Sequence, residues 1–262
     1  MTWQRFALPT AALVLLFAAW EALFRASGFN LELFPPPSRI VATIFRLLEP
    51  TEARPVPILL IHIGVSVGRL LAAMLIALVV GVGIGLLMGM NRYVYAAFQP
   101  LVNALIPIPA YAYIPILLLW AGRGDLSIVI VTAISACLPL IYNTTAGVRG
   151  VERGQIRALR TFGASRIDVM RLVLLPATLT SIVAGLRLAF GQAWRTLVGA
   201  EFIATPKAGL GYMIFNARNL LQVEVMFVGL FALGVFGFLF IYVLVGRLED
   251  RTVVRWGMLS RQ

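Results

Sequence analysis

Arginine is the residue in this chain best placed to do chemistry. Arg187 and Arg195 lie with Gln192 inside an apolar stretch, 177–200. A guanidinium is permanently charged, and its planar fork of donors matches the oxygens of an anion. A charge at membrane depth is expensive and faces protein, a cavity or a counter-charge. Two residues eight apart on a helix are separated by about 80° of rotation, so both can face one seam. The chemistry predicted is recognition of a small anion. Packing between helices, or snorkelling of Arg195 towards the interface, accounts for the same residues without a ligand. Glu201 follows in the next turn and can pair with a basic group.

A second group occupies a loop. Between Arg149 and Arg171 there are six arginines against Glu152 and Asp168. Ile156, Leu159 and Phe162 recur at i, i+3 and i+6, which predicts a short amphipathic helix. Gly163 interrupts it, Ser165 is placed to cap a second helix, and Pro176 marks entry into the next apolar run. The pattern is more ordered than a topology signal requires, and it predicts a docking surface for another subunit.

Other chemistries find little support. Cys137 is the single cysteine, so there is no intrachain disulfide, and the single histidine, His62, excludes a multi-histidine metal site. No paired carboxylates or nucleophile–base arrangement supports catalysis. Ala77, Gly81, Gly85 and Gly89 fall four apart, but no lysine follows as in a phosphate-cradling loop. That stripe predicts close helix packing.

The elements that must position these residues are membrane helices. The chain is 60% hydrophobic and 13% charged, with a mean hydropathy of +0.92. Lipid must solvate much of such a surface. The fold class predicted is all-α, a polytopic membrane protein of about six transmembrane helices. Residues 1–57 hold a first span, 8–24, and an external amphipathic segment that Ser38 caps. Residues 58–262 form a core with spans at 58–90, 98–120, 126–148, 177–200 and 225–245 and the loop 149–173. Pro100, Pro107, Pro109 and Pro115 predict a kinked third span. Residues 212–219 can form a short external helix. Outside the spans, 12 Lys and Arg fall on the side of the termini and the basic loop against 7 opposite. That places both termini and the loop in the cytoplasm. The net charge of +11 is interleaved with apolar runs and is read as topology, not nucleic-acid binding.

Several motifs then carry a resemblance. Arg157-Ala158-Leu159, Arg160-Thr161-Phe162, Gly163-Ala164 and Leu175-Pro176 follow a cytoplasmic-loop signature of Glu-Ala-Ala, three residues, Gly and a later Leu-Pro. Pro107-Ile108-Pro109, Gly185-Leu186-Arg187, Ala200-Glu201 and Gly209-Leu210-Gly211-Tyr212 support it. The chain resembles the permease subunit of a bacterial ATP-driven (ABC) importer of the nitrate, sulfonate and taurine type. Departures are Arg157 at the acidic position, Leu159 for alanine, Ile106 for an arginine, and Tyr113 for a tryptophan.

The resemblance implies a type I ABC importer permease fold in the bacterial inner membrane, and no enzyme activity on this chain. It implies a second permease copy, in a homodimer, two cytoplasmic ATPase subunits and an extracytoplasmic substrate-binding protein. No cofactor belongs to this chain; ATP and Mg are bound by the ATPase. The expected coupling surface is Arg157, Ala158, Leu159, Phe162, Gly163, Ala164 and Ser165. Candidate pathway residues are Arg187, Gln192, Arg195, Asn143 and Tyr113. The competing classes are an ion-coupled secondary carrier, which would favour intramembrane acids, and a structural membrane protein.

Overall fold

The computed structural model describes residues 3–27, 34–52, 54–205 and 207–249. Arg251, Arg255 and Arg261, three of the twelve basic residues counted on the side of the termini, lie outside them. The described residues are helical apart from turns and a single bridge between Thr51 and Arg54. The helices are α1 (Trp3–Ser27), α2 (Pro37–Leu48), α3 (Ile58–Met90), α4 (Arg92–Leu105), α5 (Ile114–Ala121), α6 (Asp125–Arg149), α7 (Arg153–Thr161), α8 (Arg166–Val169), α9 (Leu175–Ala204), α10 (Leu210–Asn219), α11 (Val223–Phe238) and α12 (Val245–Glu249). π-helical turns at Met170–Leu174 and Leu239–Leu244 join α8 to α9 and α11 to α12.

Four continuous stretches among the described residues are long and apolar enough to cross a membrane: Ile58–Met90, Asp125–Arg149, Ile167–Ala204 and Val223–Arg247. A fifth is added if the bent pair α4 and α5 is one span. The first expected span falls within α1.

The third span differs most from expectation. It is not one kinked helix over 98–120 but two helices bent by 91°. Pro107 and Pro109 remove two amide donors in succession, and each disfavours a helical residue before it. Pro100 is accommodated inside α4, and Pro115 enters the first turn of α5, where a missing N–H costs nothing. The α2 start also differs. Pro36 is the N-cap and Pro37 enters the first turn, so Ser38 does not cap the helix. Its hydroxyl instead donates to Glu21 at 3.0 Å.

The chain divides into two compact units. The first joins residues 1–65 to 207–234. In it Trp20 packs against the rings of Phe34 and Phe227. The buried His62 accepts a hydrogen bond at Nδ1 from the Gly209 amide, 3.0 Å away. Gly209 has φ 142°, a conformation in which a side chain would be strained, and it turns the chain into α10.

The second unit joins 66–206 to 235–262. The glycine stripe of α3 lies against α6. A Cβ at Gly81 would sit 2.8 Å from that of Leu140, and one at Gly85 would sit 2.6 Å from that of Thr144. Gly89 meets Val148 in the same way. The sequence offset is the same at all three contacts, so α3 and α6 run parallel with their backbones close. The Thr145 hydroxyl donates to the Gly85 carbonyl at 3.2 Å. Against α9 the order reverses: Gly147 meets Ser181 and Gly185 meets Asn143, so α6 and α9 are antiparallel. Leu75, Val79 and Leu87 of α3 are exposed, as side chains bathed in lipid would be.

Candidate functional site

The basic loop builds an ordered device. α7 is strongly amphipathic. Its half-buried Ile156 and Leu159 pack, with Leu86, Val151 and Ala164, on a core of Val148, Val169 and Leu174. These residues tie the loop to the ends of α3 and α6 and to the segment leading into α9. The other face of α7 carries Arg157 and Ala158, both exposed. Phe162 stands at its end with 89% of its surface open.

The end of α7 is a Schellman turn. The Ala164 amide donates to the Leu159 carbonyl at 3.3 Å, and the Gly163 amide to Arg160 at 3.0 Å. This requires the residue after the cap to be left-handed, and Gly163 has φ +81°. The next helix starts with a reciprocal cap. The Ser165 amide and hydroxyl both donate to Asp168 Oδ2, at 2.8 and 2.6 Å. The Asp168 amide returns a bond to Ser165 Oγ at 3.2 Å. The expected surface, Arg157 to Ser165, is therefore one contiguous helix–turn–cap, exposed at Arg157, Ala158, Phe162, Gly163 and Ser165 and anchored through Leu159 and Ala164.

The pathway candidates are more dispersed. Arg187 is half-buried on α9, whereas Gln192 and Arg195 are exposed. Arg195 Nε donates to the Gly191 carbonyl of its own helix at 2.9 Å. Asn143 is half-buried, and its amide likewise turns back to its own helix, donating to the Pro139 carbonyl at 2.8 Å. Tyr113 ends the short 3-10 turn Ala110–Tyr113, and its buried hydroxyl has no hydrogen-bond partner among the described residues.

A polar cluster that the sequence reading did not assemble lies in the same unit. Arg69 of α3 is 7% exposed and Glu201 of α9 is 0% exposed. Arg69 Nη1 donates to Glu201 Oε1 at 2.7 Å and to the Thr205 hydroxyl at 3.2 Å. The Ser66 hydroxyl lies 2.8 and 2.9 Å from the two carboxylate oxygens. Arg69 Nε also donates to Asp125 Oδ1, 2.9 Å away at the start of α6. One guanidinium thus binds α3, α6 and α9 together. Glu201 was expected to pair with a basic group and does so with Arg69; α9 runs past the expected end at 200 and includes it. The missed signal was Arg69 itself, an isolated charge in an apolar helix.

Residues 77–253 match the family model of the binding-protein-dependent transport system inner membrane component. The chain belongs to this family. It is therefore a transport component of the membrane rather than an enzyme, in the branch of nitrate, sulfonate and taurine permeases. This permease is 30% identical to the taurine transport system permease protein TauC of Escherichia coli (strain K12), over 88% of this chain and 84% of that one. It is 29% identical to the putative aliphatic sulfonates transport permease protein SsuC of Bacillus subtilis (strain 168), covering 97% and 88%. The nitrate import permease protein NrtB of Synechocystis is also 29% identical, covering 88% and 84%. The permease shares its fold with a chain of the MetNI methionine ABC transporter, solved in inward facing conformations, at a TM-score of 0.62 and 19% identity over 78% of this chain and 97% of that one.

Proposed function

We propose that this permease forms the translocation pathway of an ATP-driven importer for a small oxyanion-bearing solute, in the class of sulfonates, taurine and nitrate. The observation that carries the reading is the divided α7: Ile156 and Leu159 are packed onto the membrane helices, while Arg157, Ala158 and Phe162 are presented outward. A rigid helix held on one face and open on the other suits force transfer from a second protein. The relatives named for taurine, sulfonate and nitrate transport support the solute class.

In this reading two copies of the permease form the pathway, with both termini and α7 in the cytoplasm. Two ATPase subunits, which bind ATP and Mg, receive α7 and the Gly163 turn. A substrate-binding protein delivers the solute on the other side. ATP binding closes the ATPase pair, α7 follows, and its packing on Val148, Val169 and Leu174 passes the movement to α6 and α9. Hydrolysis releases it. Arg187, half-buried in α9, is the pathway residue best placed to meet an anion.

The test is reconstitution of the permease with its ATPase and binding protein in liposomes. ATP hydrolysis should rise with sulfonate, taurine or nitrate supplied on the binding-protein side, and labelled solute should accumulate. Stimulation by cationic or neutral solutes alone would reject the solute class. Failure of any ATPase to co-purify would reject the coupling role.

A further inference from the structure

A cavity of about 560 Å³ opens beside α7, apart from the candidate pathway residues and from the outward face of α7. Arg92, Arg149 and Arg160 line it, and its remaining wall includes Val148, Ile156 and Leu174. No acidic side chain lines it among the described residues. None of the three arginines forms a salt bridge among the described residues. We infer that this cavity binds the headgroup of an anionic phospholipid.

Three features support that occupant. First, three guanidiniums around one space repel one another unless an anion sits between them. Guanidinium is also the side chain that grips phosphate oxygens in pairs. Second, two of the arginines are already posed. The Arg149 guanidinium lies 3.8 Å from the centroid of the Tyr95 ring. Arg92 lies over the Tyr93 ring at 4.7 Å, and its Nη2 donates to the Tyr93 hydroxyl at 2.8 Å. Third, the place is that of a headgroup. Gly89 and Val148 mark the ends of two long apolar helices, and both line the cavity. Basic pockets at this level between membrane helices suit lipid phosphates. The volume far exceeds one small oxyanion, and the apolar wall suits the glycerol and first methylenes of a lipid.

The consequence is regulatory as well as structural. The cavity is shared by α7, the end of α6 and the start of α4. A lipid seated there would brace the loop against the bundle, so membrane composition would tune how firmly α7 is held.

The experiment uses the full chain, purified in mild detergent and examined by native mass spectrometry and thermal unfolding. Wild type should retain phosphatidylglycerol or cardiolipin about tenfold over phosphatidylcholine. The Arg92→Gln/Arg149→Gln pair should lose about tenfold of that retention, and Arg92→Lys/Arg149→Lys should keep more of it. Arg218→Gln on α10, a basic change in the other unit, should leave it unchanged. Equal retention of all headgroups would overturn the inference, as would unchanged retention in the glutamine pair. So would displacement of the lipid by millimolar inorganic phosphate, which would make this a site for free anions. Stoichiometric release of lipid on adding the ATPase would also overturn it and make the cavity a protein-docking surface. If the glutamine pair does not fold, the lysine pair and the phosphate competition still decide.

Discussion

Arg69 and Glu201 neutralise one another 2.7 Å apart, in a position where neither side chain reaches solvent appreciably. The pair differs in kind from the second ion pair of the same arginine, because Asp125 is 73% exposed. Breaking a buried pair from one side leaves a stranded charge and costs about 3–5 kcal/mol. Glu201→Ala and Arg69→Ala should each lower thermal stability by an amount of that order, read by unfolding in detergent. Arg69→Met with Glu201→Leu should recover most of it, since apolar replacement of both partners removes the stranded charge. Asp125→Asn should cost less than about 1 kcal/mol. Equal losses for Asp125 and Glu201 variants would contradict the assignment of burial.

The glycine stripe makes a second prediction with an internal control. A side chain at Gly85 would collide with Thr144, whereas nothing lies within 4 Å of a Cβ at Gly83. Gly85→Val should therefore destabilise by about 1–3 kcal/mol through overpacking. Gly83→Ala should be tolerated or slightly stabilising, because alanine is the better helix former. Fluorescence-detected size exclusion after heating separates the two.

Within α7 and its turn, shape and contact should come apart. Gly163→Val forces a β-branched residue into left-handed backbone at a cost of about 1–2 kcal/mol. It should loosen the turn and weaken ATPase co-purification. Phe162→Ala, at a side chain that is 89% exposed, should leave permease stability within about 0.5 kcal/mol and still reduce ATPase association. A Phe162→Ala complex that forms and transports normally would remove that ring from the coupling surface.

For the pathway, Arg187 and Arg195 should behave differently. Arg195 is exposed and bonded to its own helix, so Arg195→Ala should change transport by less than about twofold. Arg187→Ala should reduce solute-stimulated transport by about tenfold or more. Uptake of labelled solute at several concentrations measures both. Unchanged kinetics in both variants would rule out a direct pathway role for either.

Much of this architecture was legible in the residues, and the reasons are local. α3 runs from Ile58 to Met90, a mainly apolar stretch in which no proline interrupts the helix. The turn after α7 was readable because Gly163 interrupts the pattern and glycine takes that φ cheaply, and the cap at Ser165 because a serine stands just before the next apolar positions. What was not legible depends on distance along the chain. Proline at 107 and 109 announces a disturbance, but the residue types alone do not give the angle, which is 91° between α4 and α5. The partner of Glu201 is 132 residues away, and no periodicity points to it. The isolation of Arg69 was the available clue, and it concerns cost rather than contact.

The parallel pairing of α3 with α6 settles how the chain is threaded. Arg69 lies beside Asp125, and twenty residues later Gly89 lies beside Val148. That interval is about 30 Å of helix rise, the full depth of a hydrocarbon core. The chain therefore leaves α3 at one face of the bilayer and begins α6 at the other. The connecting residues, 91–124, must make an odd number of passages between those faces. For all its 91° bend, the α4–α5 pair is a complete passage and not a loop that dips in and returns. Parity alone thus raises the count of membrane passages supported by these apolar helices from four to five.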